Sequence, residues 1–454
     1  MKATVFFLLI WQLWALPLAA QDHPYDWDGR VWYEILPERF RNYNPSNDPV
    51  KGQVVDDEVE DWQVHPWASD WYKLQIWEQG RDLDFYQLIE QRRYGGDLLG
   101  VIEKLPYLQA LGVEVILLTP IFESPSITKF DAATFHHADN NFGTDPKGDL
   151  EKIKSENDDT TKWSVATSDQ AFWDLLSEAQ DADMRVVMDV VFNYCSKEFW
   201  AFRDLEEKQQ DSRYKDWFVV YQWDDPLTPD SSEFEYKCWH GNRAFPEFKQ
   251  DENGLDEGLK KYIFDATRRW LDPDGDGDPV DGVAGFRVRH VTALPASFWE
   301  AWTQIVRDVN PNALLVGDVS DSSTEWLGEK RFDSVTDYGW RELVIDFFIK
   351  DAPDRLRVSE FDARLRQLRE RYGAEHELRV LNLLGGVEMP RIASLLRNRQ
   401  VLSDGTDGVA REQFDPRPPS DSLKANLRAL ALFQLTYPGS PMIFYGDEAG
   451  MWGG

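Results

Sequence analysis

Cysteine is nearly missing from this chain, with Cys195 and Cys238 the only two in 454 residues. Two thiols make no disulfide framework, which excludes a small cross-linked scaffold; whether they pair or stay free is left open by the sequence. Basic charge is also scarce, since Lys and Arg total 49 against 81 Asp and Glu, a formal net charge of −32. A surface of that sign repels phosphodiester backbones and anionic lipid, so nucleic acid and membrane surfaces are set aside as partners. Long apolar runs are absent but for one at the start. Lys2 precedes the run Val5 to Leu16, then Pro17 and the small pair Ala19-Ala20. That run is shorter than the roughly 20 residues of a bilayer span, and its flanks predict a signal peptide over residues 1–20. The expectation is a secreted or periplasmic chain with no membrane span after cleavage.

Aromatic residues are plentiful, at 14% with 20 Trp. Rings stack on the apolar faces of sugars and also fill large cores, so composition alone decides nothing. Order along the chain is more informative. Eight short, mostly apolar runs read as strands: Val31–Ile35, Val113–Leu118, Arg185–Phe192, Gly285–Val291, Leu314–Val319, Phe332–Thr336, Leu378–Leu384 and Pro441–Tyr445. Near-continuous apolar strands suit a parallel sheet buried on both faces. Helical stretches lie between them, such as Leu98–Leu111 with Leu98, Ile102, Leu105, Leu108 and Leu111 spaced three or four apart. Eight strand–helix units predict a (β/α)₈ TIM barrel over residues 21–454, with functional residues at the C-terminal strand ends. Two connections are long: Asn44–Arg93 after the first strand, and residues 194–257 after the third, read as a small inserted domain.

At those strand ends stand VWYEILPERF (31–40), YGGDLLGVIEKLPYLQALGV (94–113), TPIFESPSITKFDAATFHHADNNFGT (119–144) and DVVFNY (189–194). DPDGDGDPVDGVAGFRVRHV (272–291), VGDVS (316–320), NLLGGVEMPRIAS (382–394) and PGSPMIFYGDEAGMWG (438–453) follow in order. Together they resemble the α-amylase superfamily of glycoside hydrolases, closest to its neopullulanase and cyclomaltodextrinase-like members. The resemblance implies α-glucan or maltooligosaccharide as ligand and cleavage of α-glucosidic bonds with retention. That chemistry needs a carboxylate nucleophile and a carboxylic acid about 5–5.5 Å apart. It also implies an eighth helix and a C-terminal β-sandwich, both expected to be missing because the sequence stops at Gly454.

The resemblance fails where the chemistry should be. Gly285, Phe286 and Arg287 keep the family's GFRxD frame, but Arg289 holds the nucleophile position. Asp318 holds the acid/base position and Glu388 that of the third carboxylate, with Val387 in place of its histidine. Tyr194 replaces the histidine after the third strand, while Asp189 and Asn193 are retained. A guanidinium does not deprotonate in a protein, offers no nucleophilic lone pair and carries the wrong sign beside an oxocarbenium ion. Asp318 is one methylene shorter than the expected Glu, about 1.5 Å, and misplacements near 1 Å can cost about a hundredfold. Catalysis by the usual route is therefore expected to be impaired or lost. Arg287 and Arg289 share one face of a strand, and Arg289 is expected to form a bidentate pair with Asp318 or Glu388, plugging the pocket.

Sugar contacts by resemblance fall to Arg287, Asn193, Tyr194, Phe130 and Asp131, with Phe130 replacing a stacking Tyr. His136 and His137 read equally as structural or as ligand contacts. Trp217, Trp223, Tyr236 and Trp239 read as a packed mini-core or a glucan groove. Asn42, Asn44, Asn47 and Asp48 resemble a calcium loop of the family. Asp272, Asp274, Asp276 and Asp278 have spacing suited to a hard cation but read first as an acidic turn. Three functions stay open: a non-catalytic α-glucan-binding member, an active hydrolase or transglycosylase with altered chemistry, and a structural or interaction protein that binds no sugar.

Overall fold

The computed structural model describes residues 26–51, 61–83, 85–225, 227–228, 232–319, 324–399 and 414–453. The expected signal peptide lies outside them. Eight parallel strands form one sheet: β1 (Trp32–Ile35), β2 (Val115–Leu118), β3 (Arg185–Val190), β4 (Gly285–Val288), β5 (Leu314–Gly317), β6 (Ser334–Val335), β7 (Leu381–Leu383) and β8 (Ser440–Phe444). β1 to β6 pair in sequence order, β7 pairs with β8, and β8 pairs with β1. A parallel bridge between Thr336 and Leu381 joins β6 to β7 and completes the ring. The expected barrel is present, and all eight predicted strands fall on it. The predicted ends of the first two, Ile35 and Leu118, coincide with the observed ones, and the other six run past the strand because the apolar pattern continues into the loops.

Local signals set the helices around the ring. The helix Leu98–Leu111 starts where the Asp97 carboxylate accepts from the Gly100 N–H and ends at Gly112 with φ 84°, a left-handed cap that a side chain would strain. It buries Leu98, Leu105 and Leu108. Strand alternation separates two cores. Trp32, Val115, Leu117, Val187, Leu314, Val316, Leu381, Leu383 and Met442 fill the barrel, while Tyr33, Ile35, Ile116, Met188, Phe286 and Leu315 face the helices. By the same alternation Glu34, Asp189, Arg287 and Asp318 share the inward face, stacked above the apolar layers.

Residues 194–257 contain the helix Trp200–Lys208 and two antiparallel hairpins, Val220–Gln222 with Glu235–Tyr236 and Gln250–Asp251 with Gly254–Leu255. Phe202, Phe218, Phe234, Tyr236 and Phe248 join the outer core through Phe199 and Tyr262. Cys195 is buried, Cys238 is partly exposed and both thiols are free. No helix among the described residues is long and apolar enough to cross a membrane.

Candidate functional site

The site stands on two arginines of β4 and its end. Register places Arg287 opposite Asp189 of β3. The Arg287 Nε and Nη2 donate to both oxygens of Asp189 at 2.5 and 2.6 Å, and Nη2 also donates to Glu34 of β1. All three side chains are buried. Burial pushes the Glu34 carboxyl above its ordinary range, and Arg287 opposes that shift. Glu34 was not singled out from sequence. Its signal was there, as an acid inside the apolar strand WYEI, where a charge needs a partner across the barrel.

Two residues on, the Arg289 N–H bonds the Val190 carbonyl at 2.9 Å and the Asp318 N–H bonds the Val288 carbonyl at 2.8 Å. These bonds fix the two side chains side by side above the Arg287 layer. Arg289 Nη1 donates to Asp318 Oδ2 at 2.7 Å and Nη2 to Glu388 Oε2 at 2.5 Å. The expected bidentate pair with a single carboxylate is corrected: the guanidinium spans both acids with one bond to each. The reason is geometric, because Asp318 and Glu388 leave different strands and approach the fork from different sides. Arg289 is 4% exposed and Asp318 9%, whereas Glu388 is 50% exposed. Burial raises the Asp318 carboxyl, but the guanidinium of Arg289, then that of Arg287, outweighs it and holds Asp318 below its ordinary value. An acid catalyst needs the opposite shift. Burial opposes the charge on Arg289 too, yet Asp318, Asp189 and Glu388 keep it fully protonated.

Among the described residues one small cavity adjoins the bridge. Glu34, Arg287, Arg289, Tyr338 and Glu388 line a cavity of about 10 Å³, room for one water. Small-molecule sites ordinarily offer roughly 300–1,000 Å³. The Arg289 guanidinium also lies over the Phe130 ring, 5.0 Å from its centroid, so the ring expected under a sugar carries a cation. Tyr194 packs with Phe130 and Val191 and stacks on Trp239 at 5.5 Å. Trp239 also meets His290 at 5.1 Å. His290 has φ 54°, a left-handed backbone that turns the chain directly after Arg289 and that sequence reading missed.

Other candidates lie elsewhere or are engaged. Asp131 is buried and accepts from the hydroxyls of Ser124 and Ser126, so it fastens its own loop. The Asn193 amide is buried and makes no hydrogen bond. Trp217 and Tyr236 are buried in the mini-core and Trp223 packs on Phe234. Of that aromatic set, Trp239 borders the arginine bridge through Tyr194 and His290.

The proposed calcium loop has orphaned acceptors. The side-chain oxygens of Asn42 and Asn47 are buried without partners, and Asp48 accepts from the Asn42 amide at 2.6 Å. Gly95, with φ 70°, lets the chain pass so close that a Cβ there would sit 2.2 Å from Asp48 Oδ1. Asn44 differs: its oxygen accepts from Ser46 N and Oγ at 3.2 and 2.6 Å and caps the turn. The acidic run has Asp272, Asp274 and Asp276 close together near the surface, with turn-type bonds from Gly275, Asp276 and Gly277.

The α-amylase catalytic-domain profile matches residues 34–160 and 167–454. The chain belongs to the α-amylase family. Neopullulanase 2 of Thermoactinomyces vulgaris is 31% identical over 424 residues, spanning 93% of this chain and 57% of that protein. A cyclomaltodextrinase of Geobacillus thermopakistaniensis is 30% identical over 434 residues, with 94% and 57% covered. The chain thus spans a little over half the length of these relatives. Among solved structures, the cyclic α-maltosyl-(1→6)-maltose hydrolase of Arthrobacter globiformis, in complex with that sugar, aligns with TM-score 0.68 at 26% identity, covering 94% of this chain and 75% of its own. The type III pullulan hydrolase of Thermococcus kodakarensis aligns at 0.69 and 26%, covering 94% and 64%.

Proposed function

We propose that this α-amylase-family chain binds α-glucan or maltooligosaccharide without hydrolysing it by the retaining two-carboxylate route. The observation that carries the reading is the Arg289 guanidinium bridging Asp318 and Glu388 and leaving about 10 Å³ beside it. A sugar ring entering there would have to break both ion pairs, and it would find a cation where the anomeric carbon needs an anion. Asp318, held ionised, does not supply a proton. The relatives named above support the ligand class. Trp239, only partly buried beside the bridge, supplies a ring for stacking outside the closed pocket. We further propose calcium at Asn42, Asn47 and Asp48, where it would take up the two orphaned amide oxygens and pin the long loop after β1 to Gly95. Export as a secreted or periplasmic protein belongs to the same proposal and is motivated by residues 1–20 alone.

The test is turnover and retention measured together. Purified chain is incubated with linear maltooligosaccharide, pullulan and cyclodextrin, and run through gels containing amylopectin. No product above that of Asp318→Asn, with retardation that Trp239→Ala relieves, is the expected result. The triple change Arg289→Asp, Asp318→Glu and Glu388→Asp is expected to gain hydrolysis. Turnover by the native chain that Asp318→Asn abolishes refutes the non-hydrolytic reading and favours altered chemistry. A chain neither retarded nor active binds no glucan and favours an interaction role.

A further inference from the structure

His136 and His137 lie away from the arginine bridge, in the connection between β2 and the helix Thr167–Asp181, and both are fully buried. Their Nε2 atoms converge on one oxygen. Glu156 Oε2 is 3.3 Å from His136 Nε2 and 3.1 Å from His137 Nε2. The ligating atoms of the three residues all lie within 4.8 Å of one another.

The opposite ring nitrogens are already engaged. His137 Nδ1 is 2.7 Å from Asp169 Oδ2, and His136 Nδ1 is 2.8 Å from both Thr134 Oγ1 and the Tyr262 hydroxyl. Trp163 stacks flat on His136 with centroids 4.2 Å apart and fixes that ring. Glu156 Oε1 accepts from Ser164 N and Oγ at 2.9 and 2.6 Å, which leaves Oε2 facing the histidines. Every outer group thus orients an inner one, as in metal sites where a carboxylate or hydroxyl holds the far nitrogen of a ligating imidazole. Within the inner set the contact of the buried His136 Nε2 is the loose one, 3.3 Å to Glu156 Oε2 without hydrogen-bond alignment.

We propose that His136, His137 and Glu156 form a buried structural site for a zinc-class divalent cation. Metal–ligand bonds of about 2.0–2.1 Å in tetrahedral array separate neighbouring ligand atoms by about 3.3–3.4 Å. The two nitrogen–oxygen edges, at 3.3 and 3.1 Å, already approach that spacing. Two imidazoles and one carboxylate select a borderline transition metal over calcium or magnesium, which take oxygen ligands. Three protein ligands leave one tetrahedral position for water. Glu156 follows directly on the helix Pro146–Ser155, so the ion would clamp that helix to the loop after β2. Arg269 donates to Asp169 at 3.0 Å and to the Ser164 carbonyl, balancing the outer carboxylate. Closed to solvent, the site would fill as the chain folds and would serve architecture, not turnover.

The full chain is produced in zinc-supplemented medium, passed over chelating resin and assayed for bound metal by mass spectrometry. About one zinc per chain is expected, as for a closed three- or four-ligand site, and background levels are expected in His136→Gln and Glu156→Gln. Asp169→Asn is expected to lower zinc affinity by about 10–100-fold through the His137 ring. Because these variants can fail to fold, the native chain is also produced with cobalt(II) replacing zinc. Intense visible absorption of a tetrahedral cobalt centre supports the site. A native chain with no tightly held zinc and no such bands overturns it, as does undiminished zinc in His136→Gln.

Discussion

Arg287 and Arg289 stand two residues apart on one face of the barrel wall, yet they meet their carboxylates in different ways. Arg287 is enclosed, with a two-point contact to Asp189 and a further bond to Glu34, and all its partners leave paired strands. Arg289 makes one bond to each of two acids beyond the strand ends, and one of those acids is half in water. The lower layer therefore belongs to the barrel's framework. The upper layer is a bridge at the C-terminal strand ends, and in the function proposed above it fills the pocket. Changes at the two positions should separate accordingly, folding for the first and occupancy of the pocket for the second.

The largest effect is expected from Arg287→Met. It leaves Glu34 and Asp189 buried without their counter-charge, and removing one partner of a buried ion pair costs about 3–5 kcal/mol. Urea denaturation followed by tryptophan fluorescence should show that loss, or the variant should fail to accumulate as folded protein. A midpoint within error of the native chain would mean that the lower layer is no more structural than the upper.

The second effect concerns acid. The folded Asp318 carboxyl lies below its unfolded value of about 3.9, so its pairing with Arg289 contributes stability that is present above that pH and is lost as pH falls through the folded value. A charge-assisted bond of this kind is worth about 1.5–3 kcal/mol. The unfolding free energy of the native chain, taken from urea denaturation, should exceed that of Asp318→Asn by this margin at neutral pH, and the gap should close in strong acid. A gap unchanged from pH 7 down to 3 would detach Asp318 from the pair.

Much of this arrangement was legible in the residues. The strands announce themselves because a parallel barrel buries both faces, and Arg289 is conspicuous because Gly285, Phe286 and Arg287 frame it. Contacts that need the ring to close were not legible. Glu34 reaches Arg287 across 253 residues of sequence, a meeting that follows only once β1 is set opposite β4. The split of Arg289 between two acids was hidden for a related reason, since the position of Glu388 depends on the loop after β7, for which no periodicity gives a direction. Equally hidden was the convergence of His136 and His137 on Glu156, 19 residues on from His137, because a helix and a turn intervene.

The smallest effect sharpens the comparison most. Glu388→Gln keeps an acceptor for Arg289 Nη2 and removes only the charge. With half its surface in water, Glu388 should contribute no more than an exposed ion pair, about 0–1 kcal/mol. What it does contribute should fade with salt, because the screening length falls from about 10 Å at 0.1 M to 3 Å at 1 M. Asp318, behind the guanidinium, should be screened far less. Melting curves of the native chain, Glu388→Gln and Asp318→Asn at low and high salt would then separate the two arms of the bridge. Equal losses for both variants at 1 M salt would make the arms equivalent. Arg289 would then be as enclosed as Arg287, and the outer arm could not serve as the side from which the pocket opens.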